Sequence, residues 1–393
     1  MNPAMAKVAC PITRQGKVEF INTYSPSITS DNRLVQAPVE NWLSLATGLV
    51  FNATGARGGE REFYKDEYDF VSENAESELL IFKDERALGM YDQVVDFIER
   101  GVSLGSAGRI LDVGCGKGLL LKRFLRRHPS WRIFGIEQSR NALRLLPANI
   151  PNAHIFEGLL HDSPFASERF ELITANGVLE HVPDPLGFLA SCREALADDG
   201  VLYIGVPNFA TNPTDLFTFD HLSRFTPTTL RTLFSAAGLR VRSAWVLETQ
   251  VPMWYLLEPN VPQKEFDSEF LVNDSRKHIQ AALSFVASTF AAYDQCVHDA
   301  GSNKGRIALY GLGAIGILGT AYSALTSEHI DCLVDDNTYF WGTKKHGIEV
   351  VAPEELAQRG ITHVAIAANP CNIAKIRRRL SALDDNGVTF YHA

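Results

Sequence analysis

The sequence predicts an α/β protein built from two doubly wound parallel sheets, and three observations carry that prediction. Apolar, strand-like runs alternate with helical stretches from about residue 76 onward, the alternation that builds a parallel sheet flanked by helices. Residues 110 to 118 read Ile-Leu-Asp-Val-Gly-Cys-Gly-Lys-Gly, an apolar strand breaking into a loop with glycine at every second position. The alternation then restarts after residue 302, where a second apolar strand runs into Gly311-Leu312-Gly313-Ala314-Ile315-Gly316.

Taken in order, residues 1–75 lack a clean period and are punctuated by Pro, Asn, Ser and Gly, which predicts an irregular N-terminal lobe. From Glu78 to Glu99 the residues Leu79, Phe82, Leu88, Tyr91, Val95 and Ile98 fall at helical spacing and predict a helix leading into the first strand. Residues 76–250 then form a core, with strands expected at Arg109 to Val113, Trp131 to Ile136, His154 to Phe156, Phe170 to Ala175 and Val201 to Val206, and a helix at Pro185 to Ala197. Thr226 and Pro227 read as the N-cap and first residue of a helix over Thr228 to Ala237. Residues 251–302 read as a helical connector, because Ile279, Leu283, Val286, Phe290, Tyr293 and Val297 repeat on one amphipathic face. Residues 303–393 form the smaller second domain, with strands expected at Arg306 to Tyr310, Ile330 to Val334, His363 to Ala367 and Val388 to Tyr391.

Composition narrows the partners. A chain of 393 residues, 46% apolar and 21% charged, is an ordinary globular composition. Its net charge of -9 argues against a nucleic-acid partner, which leaves a basic excess or stripe. No run of about eighteen apolar residues and no charged-then-apolar leader is present, so no membrane partner is expected and a cytoplasmic location follows by default. The six cysteines are scattered without a Cys-x-x-Cys pair, so neither a zinc knuckle nor a disulfide framework is expected, and no metal site is assigned.

The glycine loop is where a nucleotide-like cofactor would lie. Gly114, Gly116 and Gly118 tolerate a positive φ and carry no Cβ, so a ligand can rest against the main chain, with a helix N-terminus pointing at it. Such a loop fits NAD, FAD or S-adenosylmethionine. The next strand ends Phe134-Gly135-Ile136-Glu137, where a carboxylate can hold both ribose hydroxyls of an adenosine group. Asp112 at the first strand's end discriminates among the three, because an anionic carboxylate suits the ammonium of a methionine moiety better than a pyrophosphate. In the second domain, Gly311-x-Gly313-x-x-Gly316 with Asp335 about twenty residues on has dinucleotide spacing and could mean NAD. As a substrate lobe it would offer the same amides to a pyrophosphate, with Lys344 or Lys345 supplying charge.

Residues 110 to 118, Gly135-Ile136-Glu137, the run from Phe170 through Asn176 and Glu180-His181 to Val182, and Gly200 to Ile204 resemble the successive motifs of class I S-adenosylmethionine-dependent methyltransferases. The resemblance implies a Rossmann-like core in which Asp112, Gly114, Cys115, Gly116, Glu137 and Gln138 bind the cofactor, with Asn176 at the fourth strand end. The segment from Gly158 to Phe165 matches the family's adenine loop, with Leu159 in place of the usual acid. Tyr64 and Tyr68 resemble an aromatic lid before the core, where a π face favours the sulfonium. The whole layout, continuing through Val334-Asp335-Asp336-Asn337 to Glu355, is similar to the nucleotide-sugar C-methyltransferases, although this chain lacks the paired cysteines of their N-terminal zinc site. That similarity makes a small-molecule acceptor, a nucleotide sugar, the expected partner, with Gly311, Gly313, Asp335 and Lys344 toward it.

In those enzymes a histidine following an acid lies after the fifth strand and acts on the sugar, and Asp220-His221 occupies that place here. An imidazole suits removal of a proton from an acceptor carbon or hydroxyl, and Asp220 would fix its tautomer. His181 reads instead as shaping the turn before Pro183. O- or N-methylation of a natural-product intermediate, an NAD-dependent oxidoreductase and a non-catalytic nucleotide-binding regulator stand as the alternatives. The sequence does not indicate the oligomeric state.

Overall fold

The computed structural model describes residues 8–54, 78, 80–83, 86–150, 152–263 and 265–393. The chain divides into two compact units, Met1–Thr23 with Glu40–Asn208 and Asp220–Ser275, and Tyr24–Val39 with Phe209–Phe219 and Arg276–Ala393. The division is not contiguous: residues 24–39 and 209–219, read from sequence as N-terminal lobe and core, belong to the second unit.

The first unit is organised by a seven-stranded sheet in the order His154–Glu157, Arg132–Glu137, Arg109–Val113, Phe170–Asn176, Leu196–Pro207, Pro252–Pro259, Leu239–Trp245. The strands run parallel up to Leu196–Pro207, and the last two are antiparallel. Neighbouring residues of one strand enter opposite cores, as period-two side-chain alternation requires. Leu111, Ile173 and Leu202 pack on one face with Phe134 and Phe234, whereas Ile110, Leu172 and Val201 pack on the other with Val94, Phe124 and Trp254. Burial on both faces explains why these strands read as unbroken apolar runs.

Three stretches differ from their sequence reading. The helix expected over Glu78 to Glu99 begins only at Met90 and runs to Gly101, preceded by a hairpin pairing Leu80–Lys83 with Arg86–Gly89. Gly89 marks the break, where a Cβ would lie 2.6 Å from Glu78 Oε1, and Glu78 Oε2 caps the helix by accepting the Tyr91 amide at 3.0 Å. Pro252–Pro259, read as connector, is a strand of the core sheet. Its prolines fall at the first and last positions, where they cost least, and Met253 to Leu257 are buried. The N-terminal lobe is less irregular than expected, since Val18–Tyr24, Val39–Ser44 and Val50–Asn52 join Ser223–Arg224 in a four-stranded sheet.

The second unit has a six-stranded sheet in the order Lys344–Lys345, Ile348–Val351, Ile330–Val334, Ile307–Tyr310, His363–Ile366, Thr389–Tyr391. Only the short Lys344–Lys345 strand is antiparallel to its neighbour. The long helix begins at Ser268, earlier than its spacing suggested, and continues to Asn303. Tyr293, Cys296 and Ala300 on it bury against Ile307 and Leu309, and the Tyr293 hydroxyl donates to the Ile366 carbonyl at 2.9 Å. Among the described residues no helix is long and apolar enough to cross a membrane.

Candidate active site

In a doubly wound sheet the strand order reverses at one point, and the loops leaving the two strands there diverge to leave a crevice. In the first unit the reversal lies between Arg109–Val113 and Phe170–Asn176, so the glycine loop and Asn176-Gly177 border it. Gly114, Gly116 and Gly118 take φ values of +72°, +53° and +79°, the left-handed region that favours glycine. They differ in surroundings: a Cβ on Gly114 would sit 2.5 Å from Val178 Cγ2, whereas one on Gly116 would meet nothing within 4 Å. Gly116 therefore presents bare main chain that none of the described residues covers.

Glu137 is tied to this loop. Its Oε2 accepts the Gly116 amide at 2.7 Å, and its Oε1 accepts the amides of Gln138 at 2.8 Å and Ser139 at 2.7 Å. Burial raises the Glu137 carboxyl above its ordinary range while the three amides oppose the rise. Asp112 is 3% exposed and its Oδ1 accepts the Thr174 hydroxyl at 2.7 Å. Burial pushes Asp112 up to about 7, the Thr174 bond opposing and the Glu137 charge adding. Burial thus raises both acids at these adjacent strand ends above the ordinary carboxylate range.

The remaining assigned residues fall around this pair. Cys115 is buried, and burial raises its thiol well above the ordinary value, which argues for packing rather than reactivity. Asn176 Oδ1 accepts the Tyr203 hydroxyl at 2.9 Å, and Gln138 and Leu159 are half-buried. Tyr64 and Tyr68 lie outside the described residues. Tyr91 was read only as one apolar position of a helix. Burial and the charges of Asp112, Glu78 and Glu137 push its phenol upward, so it stands within electrostatic reach of both acids. The signal was available in its place, the first turn of the helix that opens the core.

The histidines converge although forty residues separate them in sequence. His181 and His221 rings meet edge to face with centroids 4.8 Å apart. Asp220 meets His181, whose Nδ1 lies 2.8 Å from the Asp220 carbonyl oxygen and 3.7 Å from its carboxylate. His181 is thus held by the main chain of Asp220, and Nδ1 is the protonated nitrogen because a carbonyl can only accept. Glu180, passed over as part of a turn, places Oε1 3.9 Å from His181 Nε2.

The second unit repeats the acid-to-loop clasp. Asp335 accepts the amides of Leu312 at 3.1 Å and Asn337 at 2.8 Å, and a Cβ on Gly313 would meet nothing within 4 Å. Burial raises the Asp335 carboxyl. Lys344 is exposed on its short strand, paired with Glu349. Gly311 has φ +109°, and a Cβ there would lie 2.2 Å from the Ala367 carbonyl oxygen. Gly311→Ala is expected to destabilise the second unit by about 2–4 kcal/mol, through backbone strain and overpacking together. Thermal unfolding should show that loss while the first unit's ligand affinity stays unchanged.

A family model for a methyltransferase domain matches residues 82–244. A ubiquinone biosynthesis O-methyltransferase of Actinobacillus pleuropneumoniae is 29% identical over 123 residues, covering 29% of this chain and 52% of that protein. A trans-aconitate 2-methyltransferase of Afipia carboxidovorans is 32% identical over 109 residues, covering 28% and 42%. The chain spans about half the length of the curated relatives it matches. Among solved structures, the mitomycin 7-O-methyltransferase MmcR overlaps 43% of this chain and 52% of its own at 15% identity, with a TM-score of 0.37. CalO1, a methyltransferase in calicheamicin biosynthesis, overlaps 43% and 54% at 20% identity, with a TM-score of 0.34. Residues 82–244, which carry the doubly wound α/β sheet and its acid-clasped glycine loop, thus match the family model of a methyltransferase domain.

Proposed function

We propose that this chain transfers a methyl group from S-adenosylmethionine to a small molecule, with the cofactor lying over Gly114, Cys115 and Gly116. The observation that carries the reading is the Glu137 clasp on a loop whose Gly116 none of the described residues covers, beside a buried Asp112. Glu137 Oε2 holds a single amide and so keeps a lone pair for a ribose hydroxyl. Asp112 supplies the charge that pairs with the methionine ammonium, and Gln138, Leu159 and Asn176 border the same crevice. Methyl transfer is an in-line displacement at the sulfonium carbon, so the protein's work is to place an electron-rich acceptor about 3 Å from it and exclude water.

The acceptor is placed at His221, which activates it by taking its proton, with Asp220 and His181 behind it. The resemblance of the chain's layout supports a nucleotide-linked ketodeoxysugar methylated on carbon, and in the second unit by itself Gly311, Gly313, Asp335 and Lys344 are proposed to take a nucleotide. Oxygen is the second candidate acceptor, favoured by the O-methyltransferase among the relatives. Incubation with S-adenosylmethionine and a panel of sugar nucleotides and hydroxylated acids should show a mass gain of one methylene on a member of the first set. A gain confined to the second set would favour oxygen.

Cofactor binding should depend on pH through Asp112. Its carboxyl sits at about 7, so near pH 6 most sites hold the neutral acid, whereas the ammonium needs the carboxylate. Affinity should therefore rise about fivefold from about pH 6 to about pH 7, the ratio of ionised fractions for such an acid. Calorimetric titration across that range checks this. Asp112→Asn should bind weakly and lose the pH dependence.

A further inference from the structure

We infer that Glu180, His181 and His221 form a binding site for a divalent transition-metal cation such as Zn²⁺ or Co²⁺. One carboxylate oxygen and one imidazole nitrogen from each histidine all lie within 4.8 Å of one another. Cations of this class bind such donors at about 2.0–2.2 Å, which sets neighbouring ligand atoms roughly 3.3 Å apart. The Glu180 Oε1 to His181 Nε2 separation of 3.9 Å therefore closes by about 0.6 Å, and the widest separation in the set, at most 4.8 Å, by up to about 1.5 Å, through rotation of the three side chains.

The surroundings match what such a cation needs. His181 Nδ1 donates to the Asp220 carbonyl oxygen at 2.8 Å, leaving the Nε2 lone pair turned toward Glu180. An outer hydrogen bond of this kind fixes the tautomer and orientation of a metal-ligating histidine. The two ligand segments are stitched together by the Leu222 amide, which donates to the Glu180 carbonyl at 2.8 Å, and Arg224 braces the second segment by donating to the His221 carbonyl at 3.2 Å. Glu180 and His221 are 3% and 6% exposed, and a carboxylate buried beside two imidazoles is stabilised by added positive charge. Among the described residues, a Cβ on Gly177 would approach nothing within 4 Å but Glu180 Oε1, at 3.8 Å.

Two nitrogens and one oxygen suit Zn²⁺, Co²⁺, Mn²⁺ or Fe²⁺ better than Ca²⁺, which takes oxygen ligands. Three protein ligands leave a coordination position for an acceptor oxygen, whose deprotonated form a cation favours. The binding claim stands on the cluster alone, and only the use of the cation rests on the methyltransferase reading. With a cation bound, His221 would be a ligand, and the coordinated acceptor oxygen, its acidity raised, would pass its proton to solvent water.

The test is titration of the chelator-treated full chain with Co²⁺, followed by d–d absorption, and with Zn²⁺, followed by calorimetry. One cation per chain is expected, with affinity reduced about a hundredfold or more in Glu180→Gln and in His181→Asn. S-adenosylmethionine titration of the same variants reports whether they remain folded, and its affinity is expected to persist. Wild-type binding no tighter than that of both folded variants, or absent, would overturn the site while leaving cofactor binding at Glu137 untouched. Loss of cofactor binding with metal binding intact would instead strike the methyltransferase reading.

Discussion

Glu137→Ala is expected to weaken S-adenosylmethionine binding by at least about a hundredfold and to lower stability as well. The carboxylate accepts three main-chain amides, from Gly116, Gln138 and Ser139. Removing it leaves those donors facing a small apolar side chain, and each unsatisfied buried group costs about 1–3 kcal/mol. The same deletion removes the acceptor for the ribose and frees the loop that Glu137 holds in shape. Glu137→Gln separates the two effects. Its single amide oxygen can serve one or two of the three donors, and its NH₂ faces the rest, so it should fall between wild type and alanine in both affinity and melting temperature. Calorimetric titration and thermal unfolding check this together; wild-type affinity in a folded Glu137→Ala protein would mean that the loop does not hold the cofactor.

His221→Asn is expected to cut turnover by about 10²–10⁴-fold, the usual contribution of a positioned acid or base, while leaving cofactor affinity within about twofold. Asparagine keeps much of the volume and polarity in a position that is 6% exposed, so a collapse of the surrounding segment is not expected. Single-turnover measurement of methyl transfer, with saturating cofactor, isolates the chemical step from binding. Unchanged turnover would place acceptor activation elsewhere, His181 being the nearest group able to perform it. The expected loss holds whether His221 takes the proton or ligates a cation, and chelation distinguishes the two.

The parts of the site that were legible in the sequence are those in which local chain chemistry decides the geometry. A strand ending in alternating glycines constrains its own backbone, and an acid closing the next strand sits beside that loop because neighbouring parallel strands end together. The second unit's Gly311 and Asp335 were readable for the same reason. The Glu180, His181 and His221 cluster was not, because its members come from a turn after one strand and a loop after another, and only the packed sheet brings them together. Asp220 is a further instance, since its main-chain carbonyl meets His181, a contact that its adjacency to His221 did not suggest. Pro252–Pro259 was missed because proline at both ends of an apolar run signals interruption, although those are the two positions a strand tolerates. The hairpin at Leu80–Gly89 was missed because its apolar residues fit a helical period as well as an alternating one.

The central claim is that the adenosyl cofactor belongs to the first of two similarly built loops. Calorimetric titration of S-adenosylmethionine, with NAD in parallel, into wild type, Glu137→Ala and Asp335→Ala tests it most directly. The account predicts one S-adenosylmethionine per chain, loss of binding in Glu137→Ala, retention in Asp335→Ala, and no competing tight NAD site. Retention in Glu137→Ala with loss in Asp335→Ala, or tight NAD binding without any response to S-adenosylmethionine, would contradict it.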